Sequence, residues 1–207
     1  MSLGSSAPLR YVALGDSYTI GTATRRAAER WPDQLVARLR SASPSLDLVA
    51  NLGVNGFTSR DVIEVQLPEL PALEPAFVSV LVGVNDVVQG IPEATYRENV
   101  TIILDELLSR LPPGRLLVVT IPDYTVTPRG GDYGDPTQQA AEIGRFNTAI
   151  AELASQRGIS VVDIHDLSFD AATDRSLVAD DGLHPSGAQY ARWVDRIAPV
   201  VEGLTRT

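Results

Sequence analysis

The chain has 207 residues, 44% of them hydrophobic, and a formal net charge of −9. That length and apolar fraction suit one α/β domain with a single core, and the charge argues against nucleic acid or an anionic membrane surface as partner. With no cysteine in the chain, disulfides, thiolate chemistry and cysteine-based zinc sites are excluded.

The first strand is Arg10 to Leu14, a run of strand formers that stops at Gly15-Asp16-Ser17. Glycine tolerates the sharp turn this requires. Ser17 then sits just past a strand's carboxyl end, opening a helix whose free N–H groups can stabilise an anion. Residues 18–29 read as a loop or a short irregular helix. Trp31, Leu35, Val36 and Leu39 come next at helical spacing, and Ser43-Pro44-Ser45 ends that helix. Leu46 to Ala50 is the second strand, and it leads into Asn51-Leu52-Gly53-Val54-Asn55-Gly56, a loop where backbone comes close to something.

Thr58 is an expected N-cap for a helix to about Leu67, with 68–75 as a proline-punctuated connection. Phe77 to Val82 is almost continuously apolar, as in a parallel sheet covered on both faces, and ends in Gly83-Val84-Asn85-Asp86. A helix from Pro92 to Leu111 places Tyr96, Val100, Ile103, Leu104 and Leu107 on one side; within it Asn99-Val100-Thr101 matches a glycosylation sequon. Arg115 to Ile121 is the fourth strand. The segment Pro122 to Pro136, with three glycines, is the longest stretch without predicted structure. Thr137 to Arg157 is helical and Ile159 to Ile164 is the fifth strand. The loop Asp180-Asp181-Gly182-Leu183-His184-Pro185 precedes a last helix, opened by the capping-box pattern Ser186-Gly187-Ala188-Gln189. No apolar run approaches a membrane span. Met1 to Pro8 lacks the charged and apolar regions of a signal peptide, although Met1-Ser2-Leu3 has the look of a cloning remnant. A cytoplasmic protein without membrane insertion is expected.

Strands alternating with helices imply a mainly parallel sheet with helices on both faces, as a single domain over 8–207. Ligands bind such sheets at the carboxyl ends of strands, and Ser17, Gly53 and Asn85 all come after strand ends. An acyl-transfer site needs a nucleophile, a base, a group orienting the base, and donors for the oxyanion. Ser17 can be the nucleophile. The base is His184 or His165, the chain's two histidines; His165 has Asp163 and Asp166 nearby. Asp181 lies three residues before His184, where a tight turn can bring it to the ring, with Asp180 as rival. Ser17 N–H, Gly53 N–H and the Asn85 amide can supply three donors. Asp16 and Asp86 are expected to bind backbone amides within their own turns. There is no Gly-x-Ser-x-Gly elbow.

These four segments resemble the blocks of the GDSL, or SGNH, family of serine esterases and lipases. Gly15-Asp16-Ser17 is similar to its first block, Gly53 within Asn51–Gly56 to its second, Gly83-Val84-Asn85-Asp86 to its third, and Asp181-Gly182-Leu183-His184-Pro185 to its last. The resemblance implies a flavodoxin-like three-layer α/β/α sandwich with a five-stranded sheet. It also implies a Ser17–Asp181–His184 triad, an oxyanion hole of Ser17, Gly53 and Asn85, and neither metal nor cofactor. The expected substrate is a small-molecule ester with a short acyl group. Carbohydrate O-deacetylase, thioesterase or lysophospholipase activity would use the same machinery, and an inactive binding module is the reading from another class.

Overall fold

A computed structural model describes residues 7–206. Most of the Met1–Pro8 segment, and Thr207 at the end of the expected domain, lie outside the described residues. Five strands form one parallel sheet in the order β2-β1-β3-β4-β5. They are β1 (Leu9–Gly15), β2 (Leu46–Asn51), β3 (Phe77–Leu81), β4 (Leu116–Val119) and β5 (Ser160–Val162). The helices are α1 (Ser17–Ile20), α2 (Trp31–Arg38), α3 (Val84–Val88), α4 (Glu93–Leu108), α5 (Pro136–Ser155) and α6 (Gly187–Thr205), with a composite helical run over 59–73. Helix α2 packs against α6 on one face, and α4 packs against α5 on the other. The result is the expected α/β/α sandwich. Among the described residues no helix is long and apolar enough to cross a membrane.

The residues that drive this are the periodic ones. Tyr96, Val100, Ile103, Leu104 and Leu107 are buried along α4; Tyr190, Trp193, Val194, Ile197 and Val201 are buried along α6. Every residue of β3 is buried, which is why that strand carries no alternation. Tyr96 stacks on Phe146 of α5 with ring centroids 4.3 Å apart, and its hydroxyl donates to Val82 O at 3.0 Å.

Three segments differ from the sequence expectation for definable reasons. β4 and β5 are shorter than their apolar runs because side chains take over from the ladder. The Asn147 amide pairs with both Ile121 N–H (2.7 Å) and Ile121 O (2.9 Å), and Thr120 Oγ1 donates to Asp163 Oδ1 at 2.7 Å. The 68–75 connection is helical to Leu73, as the prolines fall where an N–H is dispensable or where the turn changes pitch. The run ends at Glu74, whose φ of 45° is left-handed.

The sheet order sets the site. The order in which strands are added reverses between β1 and β3, because β1 connects outward to β2 while β3 begins the run to the other edge. Crevices for ligands open at such a switch point, outside the carboxyl ends of the two strands. Ser17 opens the helix after β1, and Asn85 lies in the short helix α3 after β3.

Candidate active site

Gly15 ends β1 with φ +148°, and a Cβ there would lie 2.1 Å from Leu81 O of the neighbouring strand. Only glycine fits. Asp16 then caps α1, its Oδ1 accepting from Tyr18 N–H at 2.9 Å, as expected for a carboxylate in its own turn. Burial pushes the Asp16 carboxyl up to about 8, against the pull of the Tyr18 N–H and with the help of the nearby Asp86 charge. Its other oxygen is buried without a partner among the described residues. Ser17 is the first residue of α1, so its N–H faces no earlier helical carbonyl.

The loop carrying Asp181 and His184 is closed at its base by an antiparallel bridge between Val178 and Pro185. Ala179 N–H donates to His184 O at 2.8 Å, and Gly182 N–H to Ala179 O at 3.0 Å. This tight turn folds Asp181 back onto His184. Asp181 Oδ2 lies 2.6 Å from His184 Nδ1, while Oδ1 accepts from Leu183 N–H (2.9 Å) and His184 N–H (3.0 Å). Partial burial works against the charged carboxylate, but the bonds from the His184 ring and the two backbone N–H groups prevail and hold Asp181 below the usual carboxylate range. A proton on Nδ1 facing Asp181 leaves Nε2 as the bare nitrogen, and this is the tautomer the contact with a carboxylate favours.

The rivals are placed elsewhere. Asp180 is exposed and reaches Arg25 at 3.3 Å. His165 Nδ1 faces Ile121 O at 3.2 Å and the Asn147 amide at 3.3 Å. Asp163 instead accepts from the His165 backbone N–H at 2.9 Å, and Asp166 pairs with Arg196. Among the described residues, His165 therefore has no carboxylate on its ring.

Ser17, Asn85 and His184 line one cleft of about 50 Å³, together with Tyr124, Tyr133 and Leu183. Ser17 Oγ has no hydrogen-bond partner among the described residues. One N–H of the Asn85 amide donates to Phe57 O at 2.8 Å, which orients the side chain and leaves a second N–H. Asp86 departs from expectation: it binds outside its own turn, accepting from Ser59 N–H at 2.8 Å and Ser59 Oγ at 2.5 Å. Gly53 does not line the cleft. Its N–H donates to Asn51 Oδ1 at 3.1 Å, and it presses so closely on α1 that a Cβ would lie 2.5 Å from Ile20 N. The close backbone approach read from its loop is thus against the helix that carries Ser17.

The Pro122–Pro136 excursion folds over this region, with a short helical turn at Gly130–Tyr133. Arg129 N–H donates to Gly182 O at 3.0 Å, bracing the Asp181–His184 loop. Tyr124 and Tyr133 meet edge to face at 5.9 Å, and the Tyr124 hydroxyl donates to Gln139 Oε1 at 2.7 Å. Sequence reasoning missed Gln66 and Tyr18. Tyr18 lies beside the His184 ring at 5.8 Å and differs in sequence from no ordinary core aromatic. Gln66 carried one signal, an uncharged polar residue flanked by the apolar Val65 and Leu67 just before Pro68.

The family described as GDSL-like lipase/acylhydrolase matches residues 13–192. No curated protein matches the sequence. Solved structures do. A lipase/acylhydrolase from Enterococcus faecalis superposes with a TM-score of 0.75 at 21% identity, over 94% of this chain and 96% of that one. The acetylxylan esterase Axe2 from Geobacillus stearothermophilus gives 0.73 at 18%, covering 96% of each chain. The psychrotrophic esterase EstA from Pseudoalteromonas sp. gives 0.71 at 17%, over 96% of this chain and 99% of that one. At these identities the likeness is one of fold.

Proposed function

This chain belongs to the GDSL-like lipase/acylhydrolase family, and we propose that residues 8–207 act as one domain that hydrolyses small, short-acyl carboxylic esters through an acyl-serine. The observation that carries this reading is the 2.6 Å contact of Asp181 with His184 Nδ1, on a ring that opens into the cleft shared with Ser17 and Asn85. His184 Nε2 takes the Ser17 proton as Oγ adds to the ester carbonyl. The resulting imidazolium is held by Asp181, and it returns the proton to the departing alcohol. Water then repeats the sequence on the acyl-serine, restoring Ser17 and releasing the acid.

Charge builds on the carbonyl oxygen at each tetrahedral stage. Ser17 N–H and the free N–H of Asn85 are the donors best disposed to it. Gly53 N–H joins them only by turning from Asn51 Oδ1. The short-acyl preference rests on a cleft of about 50 Å³, well below the size of pockets that enclose larger ligands. An O-acetyl carbohydrate would present the same acyl group. The acetylxylan esterase among the structural neighbours makes acetylated sugars the second substrates to try.

The test is labelling with an organophosphonate, then turnover of p-nitrophenyl esters from acetyl to palmitoyl. Wild type should label at Ser17 and favour the short esters, and Ser17→Ala should fold, fail to label and lose turnover. Labelling elsewhere, or near-wild-type turnover in Ser17→Ala, refutes the mechanism.

A further inference from the structure

Gln66 takes no part in the chemistry above, yet it is 2% exposed and its whole amide is engaged by the backbone of two separate loops. Oε1 accepts from Gly15 N–H at 2.9 Å, and Nε2 donates to Gly15 O at 2.7 Å and Leu52 O at 2.8 Å. Gly15 is two residues before Ser17, and Leu52 is one residue before Gly53. A single side chain therefore clasps the end of β1 to the loop after β2. The clasp reinforces the thinning end of the ladder, where Leu52 N–H donates to Ala13 O at 2.9 Å and Val54 N–H to Gly15 O at the longer 3.3 Å.

The local backbone departs from regular helix to deliver this residue. Pro68 has no N–H to return to Glu64 O, and its ring crowds that carbonyl, so the turn before it opens. Leu67 N–H bonds back five residues to Val62 O, making a π-turn over Val62–Gln66. Such turns are rare and recur at functional sites. The start of the same run is anchored by the Thr58–Asp61 capping box. It is also held by the Asp86–Ser59 bonds, next to Asn85. One helical run thus touches the loops bearing all three proposed oxyanion donors.

We propose that Gln66 is a positioning residue, fixing the Ser17 turn against the Gly53 loop so that Ser17 N–H is held toward the cleft it shares with Asn85 and Gly53 N–H lies a turn away from joining them. This rests on the esterase reading, and the experiment separates the two. Gln66→Met removes every bond of the clasp at similar volume. Gln66→Glu keeps the acceptor for Gly15 N–H and loses the Nε2 donors. Kinetics on p-nitrophenyl acetate, with active sites counted by phosphonate titration, are paired with amide hydrogen exchange over residues 15–17 and 52–54.

A misplacement of the donors should lower kcat per titrated site by about 10- to 100-fold, with KM within about twofold because the oxyanion exists only in the transition state. Exchange should quicken at both segments in Gln66→Met, and at 52–54 in Gln66→Glu. Wild-type kcat per titrated site, or unchanged exchange at 52–54, overturns the proposal. Failure of both variants to fold makes Gln66 a stability residue only and also overturns it. If the wild type neither labels nor turns over ester, the esterase reading falls alone, and the exchange result still decides the clasp.

Discussion

Asp181→Asn is the sharpest probe of the site, because it alters one atom and the surrounding hydrogen bonds dictate the consequence. In the wild type, Oδ1 accepts two backbone N–H groups at 2.9 and 3.0 Å, and Oδ2 faces His184 Nδ1 at 2.6 Å. An asparagine keeps its carbonyl oxygen on the two N–H groups, where an NH2 would clash with donors. Its NH2 must then point at His184 Nδ1. Two donors cannot face each other, so the ring gives up the Nδ1 proton and carries it on Nε2. A ring protonated on Nε2 cannot accept the Ser17 proton, and the imidazolium loses its counter-charge as well. Together these should cost about 10⁴-fold in kcat, the size of effect seen when a triad carboxylate is amidated, or roughly 5 kcal/mol of barrier. KM for p-nitrophenyl acetate should hold, since Asp181 is not among the cleft-lining residues. Asp180→Asn is the control and should turn over normally, as Asp180 is exposed on Arg25. A drop below tenfold in Asp181→Asn, or an equal drop in Asp180→Asn, would mean that another acid orients His184.

What the sequence made legible was local. Gly15, with its positive φ, and the Asp181–His184 spacing are written in a few adjacent residues, and the strand-end loops could be read from glycine and asparagine. Burial periodicity gave α4, α5 and α6 because long amphipathic helices repeat their signal. The illegible parts depend on contacts far along the chain. Asp86 lies beside Asn85, yet its partner is Ser59, 27 residues away. Gln66 reaches Gly15 across 51 residues, and no local pattern specifies that reach. The capping box expected at Ser186 shows the same limit. Ser186 Oγ accepts from Gln189 N–H at 3.4 Å, but the Gln189 amide donates to Leu167 O at 2.8 Å instead of returning to the cap. The complete box is at Thr58 and Asp61. In each case a buried side chain takes a tertiary partner in place of the local one.

Three further outcomes test the site and its surroundings. Asn85→Ala should lose about 2.7–4 kcal/mol of transition-state stabilisation, a 10²–10³-fold fall in kcat, with KM little moved; a rise in KM at constant kcat would make Asn85 a substrate contact instead. Asp16, whose folded carboxyl is raised to about 8 mainly by burial, favours the protonated form on folding. Its contribution is complete below the unfolded carboxylate range and is lost as pH climbs toward 8. The Tm of Asp16→Asn relative to wild type should therefore increase between pH 5 and 8, and a flat or falling difference refutes the assignment. The last outcome concerns chain length. Tyr133 is 39% exposed on the rim and leans edge-on against Tyr124, which is 3% exposed and tied to Gln139. Tyr124 is thus the fixed wall and Tyr133 the removable one. Tyr133→Ala should open the cleft outward without disturbing Ser17, Asn85 or His184. Burying two more methylenes there is worth about 1.6 kcal/mol, so the octanoyl-to-acetyl ratio of kcat/KM should rise by roughly tenfold while acetyl turnover holds. An unchanged ratio would put the acyl chain on another side of the cleft, and a collapse of acetyl turnover would make Tyr133 part of the machinery and not its wall.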